Sequence, residues 1–430
     1  MQGQGLSRDA TAAPAAPTRF RVMLPFAVLL VAWQVWTVVG RQPSPFLLSY
    51  WFVTWDHGFV RRGLLGEINQ LFFGDDLLRG AHVLTWVSGA VAAATVVVVA
   101  IALLRLNTPF AIGLGWLLLV SPYTVKGLLN FARPDQLPIP LLVLVAAVWW
   151  LRPRSPVLPL FVLGLLFSVL ILAHEGVVLT VAPWILLLIV HFSRYARGTV
   201  LATRLAAFFT VPALATWLVI DRGAATAKQV QLLAADADGV LPRGEDMIDY
   251  MADSTADSAA LVADFGAVNL AWMAAVGLVL WAVHLAALGC LPGRPHRLPR
   301  AGGVVLLAVV LPAFLVQLAL AKDWQRWFSL WPTMGLLCLG SCLLVPRHRP
   351  ATAVGPDAPP AAPWHPRSAV AFVLLAALLF PLPRTAANNR PPCTWTAQVK
   401  DIPMPYRHVA DVVAGRAHEH RNAGTFCHGD

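Results

Sequence analysis

Lysine is almost missing from this chain: of 32 basic residues only four are Lys, and charged residues of every kind make up 13% of 430. A soluble domain carries roughly 25% charged residues, so an ordinary water-facing surface is excluded. The formal charge of +10 could suggest nucleic acid, but no Lys/Arg cluster with interleaved aromatics stands in a polar segment. Five cysteines occur with no CxxC and no Cys/His metal spacing. Neither a Walker A nor a GxGxxG pattern is present, which leaves a cytoplasmic nucleotide site without support. Tyrosine is scarce as well, at 5 against 17 Trp.

What fills the space is apolar: 58% of residues are hydrophobic, in long runs. That composition predicts an all-α, polytopic membrane protein. The small, Pro/Ala-rich segment 1–21 reads as a disordered cytoplasmic tail. VMLPFAVLLVAWQVWTVVG, 22–40, is long enough to span, and RQPSPF after it offers no small-residue cleavage site, so an uncleaved first span is expected. Further runs lie at 81–104, 108–125, 136–151, 157–173, 177–192, 204–220, 270–290, 302–321, 328–345 and 368–383, about eleven spans in all. Together 22–383 form the transmembrane domain, and 384–430 a polar extracytoplasmic tail in which Cys393 and Cys427 could form a disulfide.

Orientation follows from where the arginines fall. With the N-terminus inside, the inner segments hold 15 Lys/Arg and two acids, whereas the remainder holds 17 Lys/Arg and 20 acids. The positive-inside rule therefore predicts N-in, C-out. Under this assignment every acid beyond the cytoplasmic tails lies on the outer side, including those of a long loop, 221–269. Exclusion of acids from the inner side explains the long loop adequately. It explains less well the acid/base pairs at the edges of spans, where ionisable groups are expensive unless paired or facing water.

Four such edges stand out. WDHGFVRRG carries Asp56, His57, Arg61 and Arg62, and leads into apolar positions at helical spacing over 59–73. An amphipathic helix in the outer interface is predicted there, with Asp56 and Gly58 at its entrance and Gly66 and Asn69 on its polar face. Asp56 could be only a helix cap, and the arginines only anchors reaching the interface. NFARPDQ brings Arg133 and Asp135 to a helix start. AHEG packs His174 and Glu175 into a turn with almost no loop to hold them. KDWQRW pairs Asp323 with Arg326, and its Trp324, Trp327 and Trp331 stripe suggests an interfacial belt or an aromatic platform for a sugar. Guanidinium forks suit a phosphate or diphosphate head group, and a carboxylate at the same boundary can deprotonate an acceptor hydroxyl.

An acid in the first outer loop (Asp56), an interfacial helix (59–73) and about eleven spans give a layout that resembles the GT-C superfamily of integral-membrane glycosyltransferases. The resemblance implies a polyprenyl-phosphate or -diphosphate sugar donor, an envelope glycan or lipid acceptor, and a site on the outer face of a bacterial cytoplasmic membrane. It carries Asp56 as catalytic base. Beside it, Arg61, Arg62, Arg133 and Arg326 are candidates for donor phosphate, and His57, Asp135, His174, Glu175 and Asp323 for acceptor or support. The chain departs from that pattern in having Asp56–His57 where an acidic pair would stand, and no large C-terminal soluble domain. Dependence on a divalent cation stays open. Alternatives are an O-antigen-polymerase-like enzyme, a lipid-linked glycan flippase, and a scaffold for an envelope complex. The polymerase would want arginines in a large outer loop; 221–269 has Arg222, Lys228 and Arg243. A transporter would want mid-span ionisable groups and broken helices, and His284 is the main such group.

Overall fold

A computed structural model describes residues 18–375 except 37, 39–42, 44, 122–123, 132, 152, 239, 241–247, 253–254, 264–265, 292–303, 321–323, 346–367, 369 and 373. Among the described residues the elements are helical, with no strands. In a lipid environment a helix satisfies its own backbone groups, and apolar runs have no cheaper conformation there.

Three helices are long and apolar enough to cross a membrane by length and composition: α4 (Leu77–Arg105), α7 (Pro138–Leu151) with the 3₁₀ turn Pro134–Gln136 before it, and α10 (Gly198–Arg222). Shorter apolar helices run beside them: α1 (Thr18–Trp36), α5 (Pro109–Val120), α8 (Val157–Ala173), α9 (Val177–Phe192), α13 (Gly266–Cys290), α14 (Leu311–Leu320) and α15 (Trp324–Leu344). The runs from 81 to 345 each overlap one of these helices, the run 108–125 only in part. Of the run 368–383, residues 376–383 lie outside the described residues, as do 1–17 and the tail with Cys393 and Cys427.

Glycines set the tightest helix contacts. A Cβ at Gly164 of α8 would lie 2.3 Å from the Phe208 carbonyl oxygen of α10, so the two backbones touch where Phe167 and Phe208 also stack. Gly115 of α5 sits against the Ala100 carbonyl of α4 in the same way. Elsewhere apolar side chains point outward: Leu158, Val162 and Val169 on α8, and Leu214, Trp217 and Ile220 on α10 are exposed. On a membrane protein such a perimeter is the lipid-facing surface.

The predicted span 108–125 is broken. Thr108 caps α5, accepting from the Ala111 N–H at 3.3 Å, but the helix stops at Val120 and Ser121 turns extended. A second piece, α6 (Val125–Phe131), resumes beyond. The Thr124 hydroxyl donates to the Ser121 carbonyl at 2.6 Å, and Gln34 of α1 donates to the Leu119 carbonyl at 2.6 Å, taking up groups the break exposes. His284 of α13 meets the Ser121 hydroxyl at 2.8 Å.

Trp327 and Trp331 of the α15 stripe form neither an interfacial belt nor a platform; the Trp324 side chain lies outside the described residues. Trp327 and Trp331 are 3% and 1% exposed, and Trp331 packs on Trp184 and Phe314 while donating to Gln317 Oε1 at 2.6 Å. The i, i+3, i+7 spacing that suits a belt suits a helix–helix seam equally well.

Candidate functional site

A second, smaller core lies at one end of the bundle, under the segment that precedes α3 (Gly63–Phe73). Tyr50, Trp51, Phe52 and Val53 are buried there after a short helix, α2 (Pro45–Ser49). The chain then turns through Trp55–Gly58, where Gly58 takes a φ of +103 that favours glycine. The Trp55 indole N–H donates to the Val60 carbonyl at 2.9 Å and lies against Gly63, where a Cβ would collide at 2.2 Å. Glu67 accepts the Trp55 backbone N–H at 2.6 Å. These contacts hold the loop rigidly while it delivers Arg61 and Arg62.

Helix α3 begins at Gly63, so Asp56 does not cap it; the capping position is Arg62, whose side chain makes no cap. The buried side of the helix differs in part from expectation: Leu65 is buried as its apolar spacing predicts, and residues of the expected polar face are buried beside it. Gly66 and Asn69 are buried, and Asn69 donates to the carbonyls of Trp51 at 3.0 Å and Leu77 at 2.9 Å. Leu71 and Phe72, 79% and 71% exposed, point away from the protein. Lipid is as good a partner for a leucine as a core is, whereas the small and amide residues are needed where backbones meet.

Three of the four charged edges meet above this core. Arg62 donates Nε–H to Glu175 Oε2 at 2.9 Å and Nη2–H to Oε1, a two-pronged pair. The side chains are 12% and 26% exposed, too sheltered for water to screen the pair fully. Tyr50 lies beneath: its ring stacks on His174 at 5.7 Å and carries the Arg62 guanidinium 5.6 Å from its centroid. Phe46 meets Tyr50 edge-on at 5.7 Å and supports the Arg133 guanidinium at 5.0 Å. Arg133 and Asp135 are buried, and Asp135 is close enough to act on the Arg62 charge. His174 accepts the Gly176 N–H at Nδ1, 3.2 Å, which assigns its proton to Nε2 when neutral.

The electrostatics follow from these positions. Burial alone would push the Glu175 carboxyl up, but the Arg62 guanidinium, with His174 and Arg61 adding to it, holds it well below the usual carboxylate range. For Arg62 burial works downward, and Glu175, Tyr50 and Asp135 outweigh it, so its charge is locked in place. The turn AHEG thus holds an ionised carboxylate against an immobile cation.

His57 and Asp56 face elsewhere. His57 pairs with Asp236 at 2.7 Å, on α11 (Ala227–Ala237) of the long loop, and its carbonyl accepts from Gln229 at 3.0 Å. The Arg61 N–H donates to the Gly223 carbonyl at 2.7 Å. The loop 221–269 is thereby drawn over the first loop, with Leu233, Ala237, Ile248 and Met251 in the same small core. Asp56 is exposed at the margin and accepts from the Thr54 hydroxyl at 3.1 Å. Asp323 and the Arg326 side chain lie outside the described residues. Among the described residues no group of three His, Cys, Asp or Glu could hold a metal ion.

Tyr50, Phe46 and Asp236 were missed in the sequence. Tyr50 had a signal, as one of five tyrosines directly ahead of the charged loop. Asp236 had none, being one acid among many in 221–269.

Apolar helices around a charged, aromatic-floored end define an α-helical membrane protein with a polar site at the edge of its bundle. Residues 23–236, just under half of the chain, match the family model described as "Uncharacterised membrane protein Rv1490". All of the assembled site lies within that stretch. Similar proteins are "Uncharacterized protein Rv1490" of Mycobacterium tuberculosis and "Uncharacterized protein Mb1527" of Mycobacterium bovis, each 31% identical over 192 residues, 43% of this chain. The chain spans 44% of the length of these curated relatives. No solved structure matches.

Proposed function

We propose that the protein is an eleven-span, N-in/C-out glycosyltransferase that moves a sugar from a polyprenyl-(di)phosphate donor to a glycan or lipid acceptor on the outer membrane face. The observation that carries this reading is the convergence of Arg61, Arg62, Arg133, Asp135, His174 and Glu175 around Tyr50 from three separate loops. Guanidinium groups held on aromatic rings are pre-oriented for a phosphate, and Glu175 occupies Arg62 until a stronger anion displaces it. Asp56 sits on the same loop, at its exposed margin and not among the arginines, so in this reading the donor spans the two, with its phosphate on the arginines and its sugar toward Asp56. Its carboxylate takes the acceptor hydroxyl proton as that oxygen attacks the anomeric carbon. The bond from carbon to phosphate oxygen breaks, and the phosphate leaves with the electron pair, held by the arginines.

One observation favours a second reading, lipid-linked glycan transport: the break between α5 and α6, with Ser121 against His284 inside the apolar core. Proteoliposomes with synthetic polyprenyl-phosphate sugars distinguish the two. Asp56→Asn is expected to lower sugar transfer by a factor of 10² or more, within the usual range for loss of a general base. Wild-type transfer in that variant would remove Asp56 from the mechanism, and counterflow with no new glycosidic bond would favour transport.

A further inference from the structure

At the far end of the bundle from Tyr50, the turn 193–197 joins α9 to α10. Helix α9 has 16 residues, which puts this turn about 24 Å from Glu175 at ~1.5 Å per residue. Its charge is of one sign. His191, Arg194, Arg197 and Arg204 fall within 191–204, and from 136 to 220 the one acid is Glu175, at the other end of α9.

These donors are held in place and left unsatisfied. Arg204 folds back from α10 and gives Nη1–H to the hydroxyl of buried Ser193 at 2.9 Å. Its Nε is shielded from solvent and has no acceptor among the described residues. Arg194 donates Nη1–H to His191 Nε2 at 3.1 Å and lies 4.8 Å from the Tyr195 ring centroid. That bond puts the proton of neutral His191 on Nδ1, a second buried donor without an acceptor among the described residues. Helix α10 starts at Gly198 behind Arg197, which makes no side-chain cap, so the open N–H groups of its first turn and its dipole add to the positive charge. Arginines that only mark the inner side of a membrane extend into water. Arg204 is instead turned back on the chain and fixed there.

We infer that this turn binds the phosphate of an anionic phospholipid in the leaflet at that end of the bundle. Guanidinium forks and a helix N-terminus both match phosphate oxygens, and a site made of donors with no carboxylate is complete only with an anion. Basic pockets between helices on the cytoplasmic side are where anionic head groups bind. The surroundings select a lipid over a soluble anion. Trp149 of α7 stacks on Phe192 at 5.0 Å, which brings the end of α7 level with the turn. Trp150, Leu151 and Tyr195 there are 57%, 69% and 88% exposed, an apolar and aromatic rim beside the arginines. A soluble phosphate would use the donors alone, whereas a phospholipid also lays its acyl chains against the rim. The inference stands whether or not the opposite end takes a polyprenyl phosphate.

The test uses full-length protein in detergent with three probes: dioleoylphosphatidylglycerol, dioleoylphosphatidylcholine and inorganic phosphate. Native mass spectrometry counts the bound lipid. Wild type is expected to retain phosphatidylglycerol about tenfold better than phosphatidylcholine, and millimolar inorganic phosphate should not displace it. Arg204→Gln is expected to lower phosphatidylglycerol retention about fivefold, the usual contribution of one arginine at an anionic surface. Arg105→Gln removes the same charge from the far end of α4, where that guanidinium lies on Phe20, and should leave retention as in wild type. Arg197→Glu, at an exposed position of the turn, is the second variant and gives the same reading should Arg204→Gln fail to fold. Equal retention of the two lipids, wild-type retention in either folded variant, or an equal loss in Arg105→Gln overturns the inference. Displacement of the lipid by inorganic phosphate overturns the lipid assignment in favour of a soluble anion.

Discussion

Arg62 adopts a left-handed backbone conformation (φ 66) that a residue with a Cβ reaches at a cost of roughly 1–2 kcal/mol. Its surroundings hold it there: Gly63 beyond it packs on Trp55, the Arg61 N–H before it is tied to Gly223, and its guanidinium is clamped by Glu175. Strain maintained by contacts on every side is common where a side chain must be aimed. The partner makes a pH prediction. Free glutamate titrates near ~4.3; with its folded value depressed, Glu175 contributes stability above that pH and loses it as pH falls through the lower folded value. Glu175→Gln is expected to lose roughly 1–3 kcal/mol at pH 7, by leaving Arg62 without its charge partner. Thermal unfolding in detergent should show variant and wild type converging as the pH is taken below ~4. A gap that persists unchanged into acid would mean the pair contributes through packing alone.

At the scale of elements, the sequence specified existence and length better than facing. Apolar runs announced α4, α5, α7 to α10 and α13 to α15, because length and hydropathy are enough to mark a membrane helix, whereas α6 and α11 had no such run. Facing was not legible where lipid replaces water. On α3 the hydrophobic stripe predicts the buried side in a soluble protein, yet here only Leu65 of the stripe is fully buried, beside Gly66 and Asn69, while Leu71 and Phe72 face outward. Likewise α15 turns Trp327 and Trp331 inward. Small residues are the better guide to contact, which leads to a prediction. Gly164→Ala puts a methyl group against the Phe208 carbonyl and is expected to cost roughly 1–3 kcal/mol, read as a lowered Tm. Gly198→Ala, with nothing within 4 Å of the added carbon, is the control and should match or slightly exceed wild type. Equal Tm values for the two variants would mean that α8 and α10 can separate without loss.

For the whole molecule, what was legible of the site is its residue types and their place at helix ends; what was not is their pairing. Nothing between Arg62 and Glu175 in the sequence announces a bond across 113 positions, nor does anything tie His57 to Asp236. Those contacts arise from the packing of α3 on α8 and of the long loop on the first loop. They make three of the charged edges one end of one bundle, and the account depends on that end facing out of the cell. Thiol labelling tests this directly. In a cysteine-free background, Asp56→Cys and Asp236→Cys are expected to react with a membrane-impermeant maleimide in intact cells. Arg154→Cys and Tyr195→Cys, exposed at the opposite helix ends, should react only after permeabilisation. Labelling of 56 and 195 from the same side, or of 154 but not 56 in intact cells, would contradict the account.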